Sequence, residues 1–410
     1  MSSQSKTRVI IAGCGIAGPV LAIILKQHGY DPVIYERVNA PPDSGIGLSL
    51  QTNGLRALSQ IPGLVEGIPG RQVERILFYS VVPGDEGKLA EVDLSEAVRR
   101  KYGLGPTITT QRPAFHRYLV KTVEEHGVTV HWGHQLVRLQ QGEDEVTVTF
   151  QNGETAKASF VVGCDGLHSD TRATLFGRQK ADFTGVVQVG GTSLKPNNSM
   201  FDSGPNTVTN VFGDGAHLIA FPSSSTQVSW ATTLQEPEAR ESWKMLDQDA
   251  MRKFKAEAEV GKWEALNVKE LVHNTDRINK YGIYDRPELE NWHVGRVVLL
   301  GDAAHPTSPY LGQGANQAFE DIGLLAKLLK EYNPKAAHPS TGLLDKIFTE
   351  YETVRIPCTS ALVKEARRQG ELRVAKGVEA CKKRNDFVRE LWKDEETVMK
   401  RYAQIYKQEN

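Results

Sequence analysis

A glycine-rich turn between a strand and a helix constrains the fold of this chain more than any other stretch. The segment RVIIAGCGIAGPVLAIILKQHGYDPVIYER places Gly13, Gly15 and Gly18 in a G-x-G-x-x-G after an apolar run typical of a buried strand. A helical pattern follows, then a second strand that ends on Glu36, 18 residues after Gly18. An acidic residue at about that distance can accept hydrogen bonds from the ribose of a dinucleotide. The segment therefore predicts a βαβ unit that binds a dinucleotide pyrophosphate at its glycines.

The same segment has a second interpretation as a secretion signal. Lys6 and Arg8 could form its charged part, and the run from Val9 to Leu25 its apolar core. No small-x-small cleavage site follows a clear apolar core, and the glycines fall where strand and helix meet. The βαβ unit is therefore the favoured interpretation.

Composition and charge exclude several classes of partner. The 410 residues carry a formal net charge of -1, which gives no electrostatic basis for binding nucleic acid. A basic run from Lys364 to Arg384, in which eight Lys or Arg outnumber three Glu, is typical of a solvated helix face. Beyond the first segment, no apolar run approaches the length of a membrane span. We expect neither a metal site nor a membrane span. We expect the protein to be a monomer or a homodimer.

The spacing of the four cysteines indicates the cellular compartment of the protein. Cys14, Cys164, Cys358 and Cys381 are widely separated and contain no C-x-x-C. This pattern is typical of small buried hydrophobic residues or unpaired thiols in a reducing environment. We therefore expect a cytoplasmic protein.

The order of the predicted elements indicates an α/β fold with an inserted sheet. From about Phe183 to Asp285 several stretches have the pattern of antiparallel strands, and RVVLLGDAAH then resumes the buried-strand pattern of the first domain. From Gly314 the chain is mostly helical. We predict a Rossmann-like domain formed by residues 1–75, 108–178 and 286–340, an antiparallel-sheet substrate domain formed by 76–107 and 179–285, and C-terminal helices in 341–410.

Three motifs, in order, resemble those of class A flavoprotein monooxygenases, the family of the para-hydroxybenzoate and salicylate hydroxylases. They are GCGIAG with YER, GCDGLHSDTR, and GDAAHPTSPYLGQGANQAFED; together with TQRPAFHRYL they span most of residues 8–331. The resemblance implies a GR2-type FAD-binding domain, NADPH or NADH as a transient electron donor, and O2. It also implies a flavin C4a-hydroperoxide that hydroxylates or epoxidises an aromatic or other electron-rich small molecule.

The third motif places two features at one sheet edge. Asp302 follows a predicted buried strand, so it is expected at the carboxyl edge, where ligands bind in open α/β folds. A helix beginning near Gly314 would present free N–H groups and a partial positive charge; in the family resembled, this end faces the isoalloxazine ring. The cofactor-binding residues expected from the motifs and the resemblance are Gly13, Gly15, Ile16, Ala17, Gly18, Glu36, Arg37, Gly45, Gly47, Arg112, Leu136, Asp165, Asp302, Pro309, Gly312, Gly314, Ala315 and Asn316.

Several of these motif residues have alternative interpretations. Arg112 resembles an arginine that reaches the phosphate and ribityl region, but it could instead be an exposed helix-capping residue. For Ser169 and Arg172 the resemblance implies a role linking the flavin phosphates and the nicotinamide donor, although Arg172 could simply hold Asp165. His305 follows a strand end, where a histidine more often braces a loop than takes part in catalysis.

The sequence departs from the family pattern in the substrate domain. Phenol-hydroxylating relatives often have W-R-G and Y-P motifs there, whereas this chain has Gly190 and Gly191, and Phe221 before its proline. We expect His217 and Tyr284 as candidate catalytic residues, with Tyr281 as another substitute. The departure favours a bulky, electron-rich aromatic or alkene substrate that needs little deprotonation.

Two other functions remain open from the sequence. The first is a flavin-dependent reductase or dehydrogenase on the same fold. The second is a non-catalytic binding protein similar to the Rab GDP-dissociation inhibitors, although Asp302 and the GQGAN loop argue against a protein without flavin. No second G-x-G-x-x-G follows a strand and opens a helix, which fits a donor that is held only transiently.

Overall fold

The computed structural model describes residues 6–43, 45–196, 204–237 and 244–406. Residues 1–5 and 407–410, which the predicted domain ranges include, lie outside the described residues. Within the described ranges, the chain forms twenty strands, eleven α-helices and four short 3-10 turns.

The strands run through both halves of the chain. They are β1 (Arg8–Ala12), β2 (Asp31–Glu36), β3 (Gly47–Leu50), β4 (Gly70–Gln72), β5 (Arg75–Ser80), β6 (Gly87–Asp93), β7 (Ile108–Gln111), β8 (Thr129–Trp132), β9 (Leu136–Gln141), β10 (Val146–Phe150), β11 (Thr155–Ala158), β12 (Phe160–Gly163), β13 (Asp182–Leu194), β14 (Thr207–Phe212), β15 (Ala216–Pro222), β16 (Gln227–Gln235), β17 (Lys244–Met245), β18 (Ile278–Asp285), β19 (His293–Val294) and β20 (Val297–Leu299).

The two longest helices lie in the C-terminal quarter of the chain. The helices are α1 (Ala17–Gln27), α2 (Thr52–Leu58), α3 (Glu96–Lys101), α4 (Arg112–Glu125), α5 (Asp170–Phe176), α6 (Gln248–Glu257), α7 (Val268–His273), α8 (Gly314–Tyr332), α9 (Thr341–Arg373), α10 (Val378–Trp392) and α11 (Glu395–Tyr406). The 3-10 turns are Glu259–Lys262, Ala265–Asn267, Gly301–Ala303 and Pro309–Leu311.

The first sheet is the predicted parallel sheet. Its order is β19-β20-β12-β1-β2-β8, and β1 lies between β2 and β12, with Ile10 opposite both Val33 and Val161. The apolar runs of β1, β12 and β20 are buried because α1 and α8 contribute to the core that covers this sheet. The carboxyl ends of β1, β12 and β20 meet at one edge, which brings the three sequence motifs together.

The second sheet has eight strands in the order β17-β18-β13-β16-β15-β14-β5-β6. All of its pairings are antiparallel except that of β14 with β5. Strands β5 and β6 and strands β13 to β18, which come from two separate parts of the chain, join in this one sheet. The α/β fold class, with an antiparallel sheet and C-terminal helices, is confirmed.

The last helices pack on both halves of the molecule. α9 contacts α8 beside the parallel sheet, and α10 contacts β6 at the edge of the second sheet. An apolar cluster that includes Phe78, Val388 and Met399 joins β5 and β6 to α10 and α11. No helix in the described ranges is both long and apolar enough to cross a membrane.

Candidate active site

One large cavity lies between the parallel sheet and the antiparallel sheet, with a volume of about 1250 Å³. Most of the residues predicted to bind a cofactor or to act in catalysis line it. They are Gly13, Gly15, Ile16, Ala17, Glu36, Arg37, Gly47, Arg112, Leu136, Asp165, His217, Tyr284, Asp302, Pro309, Gly312, Gly314 and Ala315.

Three predicted cofactor residues do not line the cavity, each for a packing reason. A Cβ at Gly18 would lie 2.1 Å from the carbonyl oxygen of Gly13, so Gly18 permits the close packing of turn and helix. Gly45 has a φ of +114°, and its Cβ would lie 3.0 Å from Cδ of Arg112. Asn316 is fully buried beneath the loop before α8. These three residues lie behind the cavity wall rather than on it, and their assignment as cofactor-binding residues stays a prediction.

The glycine turn and Glu36 form one end of the cavity. Gly13 has a φ of +102°, and a Cβ there would lie 2.5 Å from the carbonyl oxygen of Cys164, so only glycine fits. A Cβ at Gly15 would meet nothing within 4 Å, which leaves its backbone open to the cavity. The Glu36 carboxylate accepts hydrogen bonds from the backbone N–H groups of Cys14 (2.7 Å) and Val38 (3.0 Å). These bonds fix the carboxylate at the cavity wall.

Asp302 and Arg112 both line the cavity, and their opposite charges interact electrostatically. Asp302 is exposed to the cavity, and no described residue donates a hydrogen bond to its carboxylate. The enclosing protein raises the pKa of Asp302, against the opposing charges of His305 and Arg112. Enclosure likewise lowers the pKa of Arg112, which Asp302 and Tyr281 counteract. Arg112 is therefore a cavity residue rather than an exposed capping residue.

The N-terminus of α8 opens beside Asp302. Gly312 has a φ of +62°, which turns the chain into the helix, and Gly314 and Ala315 line the cavity. The first N–H groups of a helix have no intrahelical acceptor. No side chain among the described residues caps the N-terminus of α8. The cavity here meets free donors and a partial positive charge.

Asn316 holds this loop in place instead of facing a ligand. Its Oδ1 accepts the backbone N–H of Gln51 (2.9 Å), and its Nδ2 donates to the carbonyls of Ser49 (2.9 Å) and Gly312 (2.7 Å). A Cβ at Gly54 would overlap the Asn316 side chain at 2.1 Å, so that position must be small. The amide thus ties the loop before α8 to β3 and α2.

The GCDGLHSDTR motif is organised around the start of α5. Asp165 accepts hydrogen bonds from Ser169 Oγ and from the backbone N–H and hydroxyl of Thr171, both at 2.9 Å. Ser169 caps α5 by accepting the N–H of Arg172 at 2.8 Å. The Arg172 guanidinium does not contact Asp165; it donates to the carbonyls of Ala304 (3.1 Å) and Pro287 (2.7 Å). Arg172 therefore anchors the turn that carries Asp302.

The second sheet forms the opposite wall of the cavity. Tyr281 donates a hydrogen bond to Gln188 Oε1, its partner across β13 and β18. His217 is buried; its Nε2 bonds Asn210 Oδ1 at 3.1 Å, and its Nδ1 has no partner among the described residues. Burial lowers the pKa of His217 well below its ordinary value, and the charges of Arg373 and Arg384 lower it further. The imidazole is therefore neutral at neutral pH.

The glycines that replace the expected Trp and Arg are required by packing. A Cβ at Gly190 would lie 2.2 Å from the carbonyl oxygen of Trp230, and one at Gly191 would lie 2.4 Å from that of Arg277. Phe221 faces the cavity, and a Cβ at Gly47 would lie 2.6 Å from its ring. Tyr284 borders the cavity and packs on Phe183, with ring centroids 5.3 Å apart.

Sequence reasoning assigned the run from Lys364 to Arg384 to a solvated face and therefore missed Arg373 and Arg384 as cavity residues. Lys364, Arg367 and Lys383 are exposed as expected. Arg373 ends α9 and Arg384 lies in α10, and both line the cavity; Arg384 is only 2% exposed. The prediction of a solvated face is therefore corrected at these two positions. Only the packing of α9 on the Pro309–Leu311 turn and of α10 on β6 reveals them.

The residues present fit an FAD molecule. The open backbone at Gly15 and the fixed carboxylate of Glu36 suit a pyrophosphate and a ribose. The unpaired carboxylate of Asp302 suits a polyol hydroxyl, and the uncapped N-terminus of α8 suits a ring that gains negative charge on reduction. All of these groups border one cavity.

Comparison with known proteins agrees with this chemistry. The model of the FAD binding domain family matches residues 6–366. The chain is 30% identical over 368 residues to a 3-amino-4-hydroxybenzoate 2-monooxygenase of Streptomyces cremeus, covering 89% of this chain and 87% of that protein. It is 28% identical over 386 residues to a 3-hydroxybenzoate 6-hydroxylase of Klebsiella oxytoca, covering 91% and 90%.

Solved structures show the same fold. Klebsiella pneumoniae HpxO complexed with FAD and uric acid superposes with a TM-score of 0.81 at 22% identity, covering 98% of this chain and 97% of that one. The 2,6-dihydroxypyridine-3-hydroxylase of Arthrobacter nicotinovorans gives a TM-score of 0.73 at 20% identity, covering 92% and 95%. The chain therefore belongs to the FAD binding domain family, as an FAD-dependent enzyme of the class A flavoprotein monooxygenases.

Proposed function

We propose that this enzyme uses NAD(P)H and O2 to hydroxylate a small electron-rich aromatic molecule held between the second sheet and the N-terminus of α8. The observation that carries the proposal is the continuity of the cavity. Glu36 lies at one end, Asp302 and Gly314 border the middle, and Gln188 and His217 line the opposite wall. A cofactor and a substrate can therefore meet inside one enclosure. The two relatives named above are enzymes that act on hydroxybenzoates, and their names support a phenolic substrate class.

Within this proposal each cofactor residue has a role. Gly13 and Gly15 would bind the pyrophosphate, Glu36 would accept a hydrogen bond from the adenosine ribose, and Asp302 would accept one from a ribityl hydroxyl. Arg37, Arg112 and Asp165 would hold the phosphate and ribityl region, and Gly312, Gly314 and Ala315 would hold the flavin ring. The chemistry that FAD supplies when bound is acceptance of a hydride from NAD(P)H and activation of O2 for transfer of one oxygen atom.

The protein residues of the substrate wall orient the ring and exclude water. Tyr281 and Gln188 form a hydrogen-bonded pair that borders the cavity, and burial raises the pKa of the Tyr281 phenol, so it stays protonated and can donate. The Asn210 amide oxygen selects the tautomer in which His217 carries its proton on Nε2, which leaves Nδ1 as an acceptor. We retain His217 and Tyr284 as candidate catalytic residues, and we add Tyr281 and Gln188 as substrate contacts.

Neither alternative function is favoured. A non-catalytic binding protein has no use for an unpaired carboxylate beside an uncapped helix, and the curated relatives are monooxygenases. A reductase would need no enclosed wall of polar substrate contacts beyond the cofactor. All four cysteines are free, which supports the proposed cytoplasmic location.

The test is the stoichiometry of turnover with purified holoenzyme. NADPH or NADH oxidation, O2 uptake and product formation are measured with 3-hydroxybenzoate, 3-amino-4-hydroxybenzoate and 6-hydroxynicotinate. We expect at least one aromatic compound to accelerate donor oxidation about tenfold or more, with one product molecule formed for each O2 consumed. A protein that oxidises the donor at the same rate with every aromatic compound, and returns all the O2 as peroxide, would contradict the proposal.

A further inference from the structure

The end of the cavity formed by the C-terminal helices carries the positive charges of Arg373 and Arg384. Asp214 and Asp85 act electrostatically on Arg384, whereas no carboxylate of the described residues acts on Arg373. Arg373 and Arg384 both line the cavity and both act electrostatically on His217. No Asp or Glu within the described ranges lies at salt-bridge distance from either guanidinium. Glu365 also borders the cavity, but it is paired with Arg368 and accepts from Gln369. A buried cation that lacks a partner is costly, so natural proteins rarely keep one without use.

Arg373 is held rigidly rather than left to move. Its Nη2 donates to the carbonyl of Tyr310 at 2.9 Å, and its guanidinium carbon lies 5.0 Å from the centroid of the Tyr310 ring. A Cβ at Gly370 would lie 2.4 Å from that ring, so the glycine one turn earlier in α9 makes room for the stack. Tyr310 is two residues before Gly312, which places the arginine beside the loop that leads into α8.

Both guanidinium groups keep an unused donor. Nη1 of Arg373 and Nη2 of Arg384 are buried without a hydrogen-bond partner among the described residues. Arg384 is fixed by bonds from Nε to Asn385 (3.0 Å) and from Nη1 to the carbonyl of Gly213 (3.0 Å), and it lies 5.0 Å from the Phe212 ring centroid. The C-terminal end of α9 offers Arg373 only a fraction of a negative charge. Burial lowers the pKa of Arg373 to about 10, so it remains charged at neutral pH.

We propose that Arg373, supported by Arg384, recognises an anionic substituent of the aromatic substrate, with a carboxylate as the group that fits best. A planar carboxylate supplies the acceptors and the charge that the fixed guanidinium groups lack. Residues of the C-terminal helices thereby choose the substrate, whereas the second sheet positions the ring. This inference rests on the proposed function and adds the charge class of the substrate.

The test compares matched anionic and neutral ligands on the holoenzyme. The probes are 3-hydroxybenzoate and 3-hydroxybenzamide, with the acid and amide pairs of 3-amino-4-hydroxybenzoate and 6-hydroxynicotinate. Dissociation constants are read from the change in flavin absorbance, which needs no turnover. We expect at least one acid to bind about tenfold or more tightly than its amide, the scale of a hydrogen bond to a charged group.

Variants then locate the preference. We expect Arg373→Gln to remove most of the acid-over-amide ratio and Arg384→Gln to reduce it, with amide binding nearly unchanged. Arg367→Gln is the matched control, since Arg367 is exposed on the same helix and does not line the cavity. A second measurement tests whether the variant folds. In ligand-free enzyme, the thermal unfolding midpoint of Arg373→Gln should equal or exceed that of wild type, because the substitution removes a buried charge that has no acidic partner.

The outcomes separate this inference from the proposed function. Acids that bind no better than amides, or a ratio that survives Arg373→Gln, would overturn anion recognition even if an aromatic compound is hydroxylated. Failure of every acid to bind would overturn it as well. If the acids bind in an Arg373-dependent way but no aromatic compound is oxygenated, the anion site stands and the proposed reaction fails.

Discussion

His305 and Asp321 share a buried hydrogen bond of 2.6 Å between Nε2 and Oδ2, and the same carboxylate holds the turn that carries Asp302. Oδ2 also accepts the backbone N–H of Gly301 at 2.9 Å, while Oδ1 accepts Nε of Arg355 at 2.7 Å. α8 and α9 therefore fix the chain where it leaves β20. These contacts are those of a brace, the role favoured for His305 from its position in the sequence.

We expect Asp321→Asn to lower the free energy of unfolding by about 3–5 kcal/mol, because it leaves Arg355 and His305 buried with a weakened partner. Urea unfolding at neutral pH measures the change. The control is Asp249→Asn, which removes an exposed ion pair with Arg252 and should cost less than about 1 kcal/mol. Equal effects of the two substitutions would show that the buried network contributes little.

The contribution of Asp321 should also depend on pH. Burial raises the pKa of Asp321, but the charges of His305 and Arg355 and the hydrogen bonds outweigh burial, so the pKa falls from 3.8 to about 2. A lowered carboxyl pKa stabilises the fold above the unfolded value, and that stabilisation is lost as pH falls toward 2. The difference between wild type and Asp321→Asn should therefore be constant above about pH 5 and shrink below about pH 4. A difference that grows on acidification would contradict the assignment.

Replacing Glu36 with Ala should weaken FAD binding by about 1.5–3 kcal/mol, since a charged acceptor for the ribose is lost. Titration of apoprotein with FAD measures the dissociation constant. Asp31→Ala is the matched control, because Asp31 lies at the other end of β2 in an exposed pair with Arg8. Unchanged affinity in the Glu36 variant would remove this residue from the site.

Asp302→Asn should separate cofactor binding from stability. We expect FAD affinity to fall about tenfold or more, because the acceptor toward the ribityl chain is weakened. The pKa of Asp302 is raised above the ordinary carboxyl value. Ionisation of this carboxyl therefore destabilises the folded apoprotein at pH values above the ordinary pKa. The apoprotein variant should thus be at least as stable as wild type at pH 7. A variant that is both destabilised and fully loaded with FAD would contradict both parts.

The contrast between Asp302 and Arg373 shows what the sequence could and could not predict. The glycine turn, Glu36 and Asp302 lie in short contiguous motifs at strand ends, so their meeting at one sheet edge follows from the chain order. Arg373 and Arg384 belong to a run whose composition is that of a surface helix, and they become cavity residues only because α9 packs on the Pro309–Leu311 turn and α10 packs on β6. The hydrogen bonds of the Asn316 amide to Gln51, Ser49 and Gly312 were not predicted, because a motif does not show which way a side chain turns.

Gly312→Val should lower the reduction potential of the bound flavin. A valine resists the φ of +62° at this position, so the loop must move and the N-terminus of α8 withdraws from the ring. Potentiometric titration, with flavin occupancy confirmed, measures the shift. Gly63→Val is the control, because Gly63 has a φ of +77° but does not line the cavity. Equal potentials in the Gly312 variant and wild type would argue against stabilisation by the helix.

We expect this enzyme to insert one atom of O2 into an aromatic ring. The most direct measurement is mass spectrometry of the product formed under oxygen-18 gas, with an accepted aromatic compound, NAD(P)H and the holoenzyme. We expect a product heavier by one labelled oxygen atom, with no label gained when only the water carries oxygen-18. A product labelled from water, or donor oxidation that leaves every aromatic compound unchanged, would contradict the account.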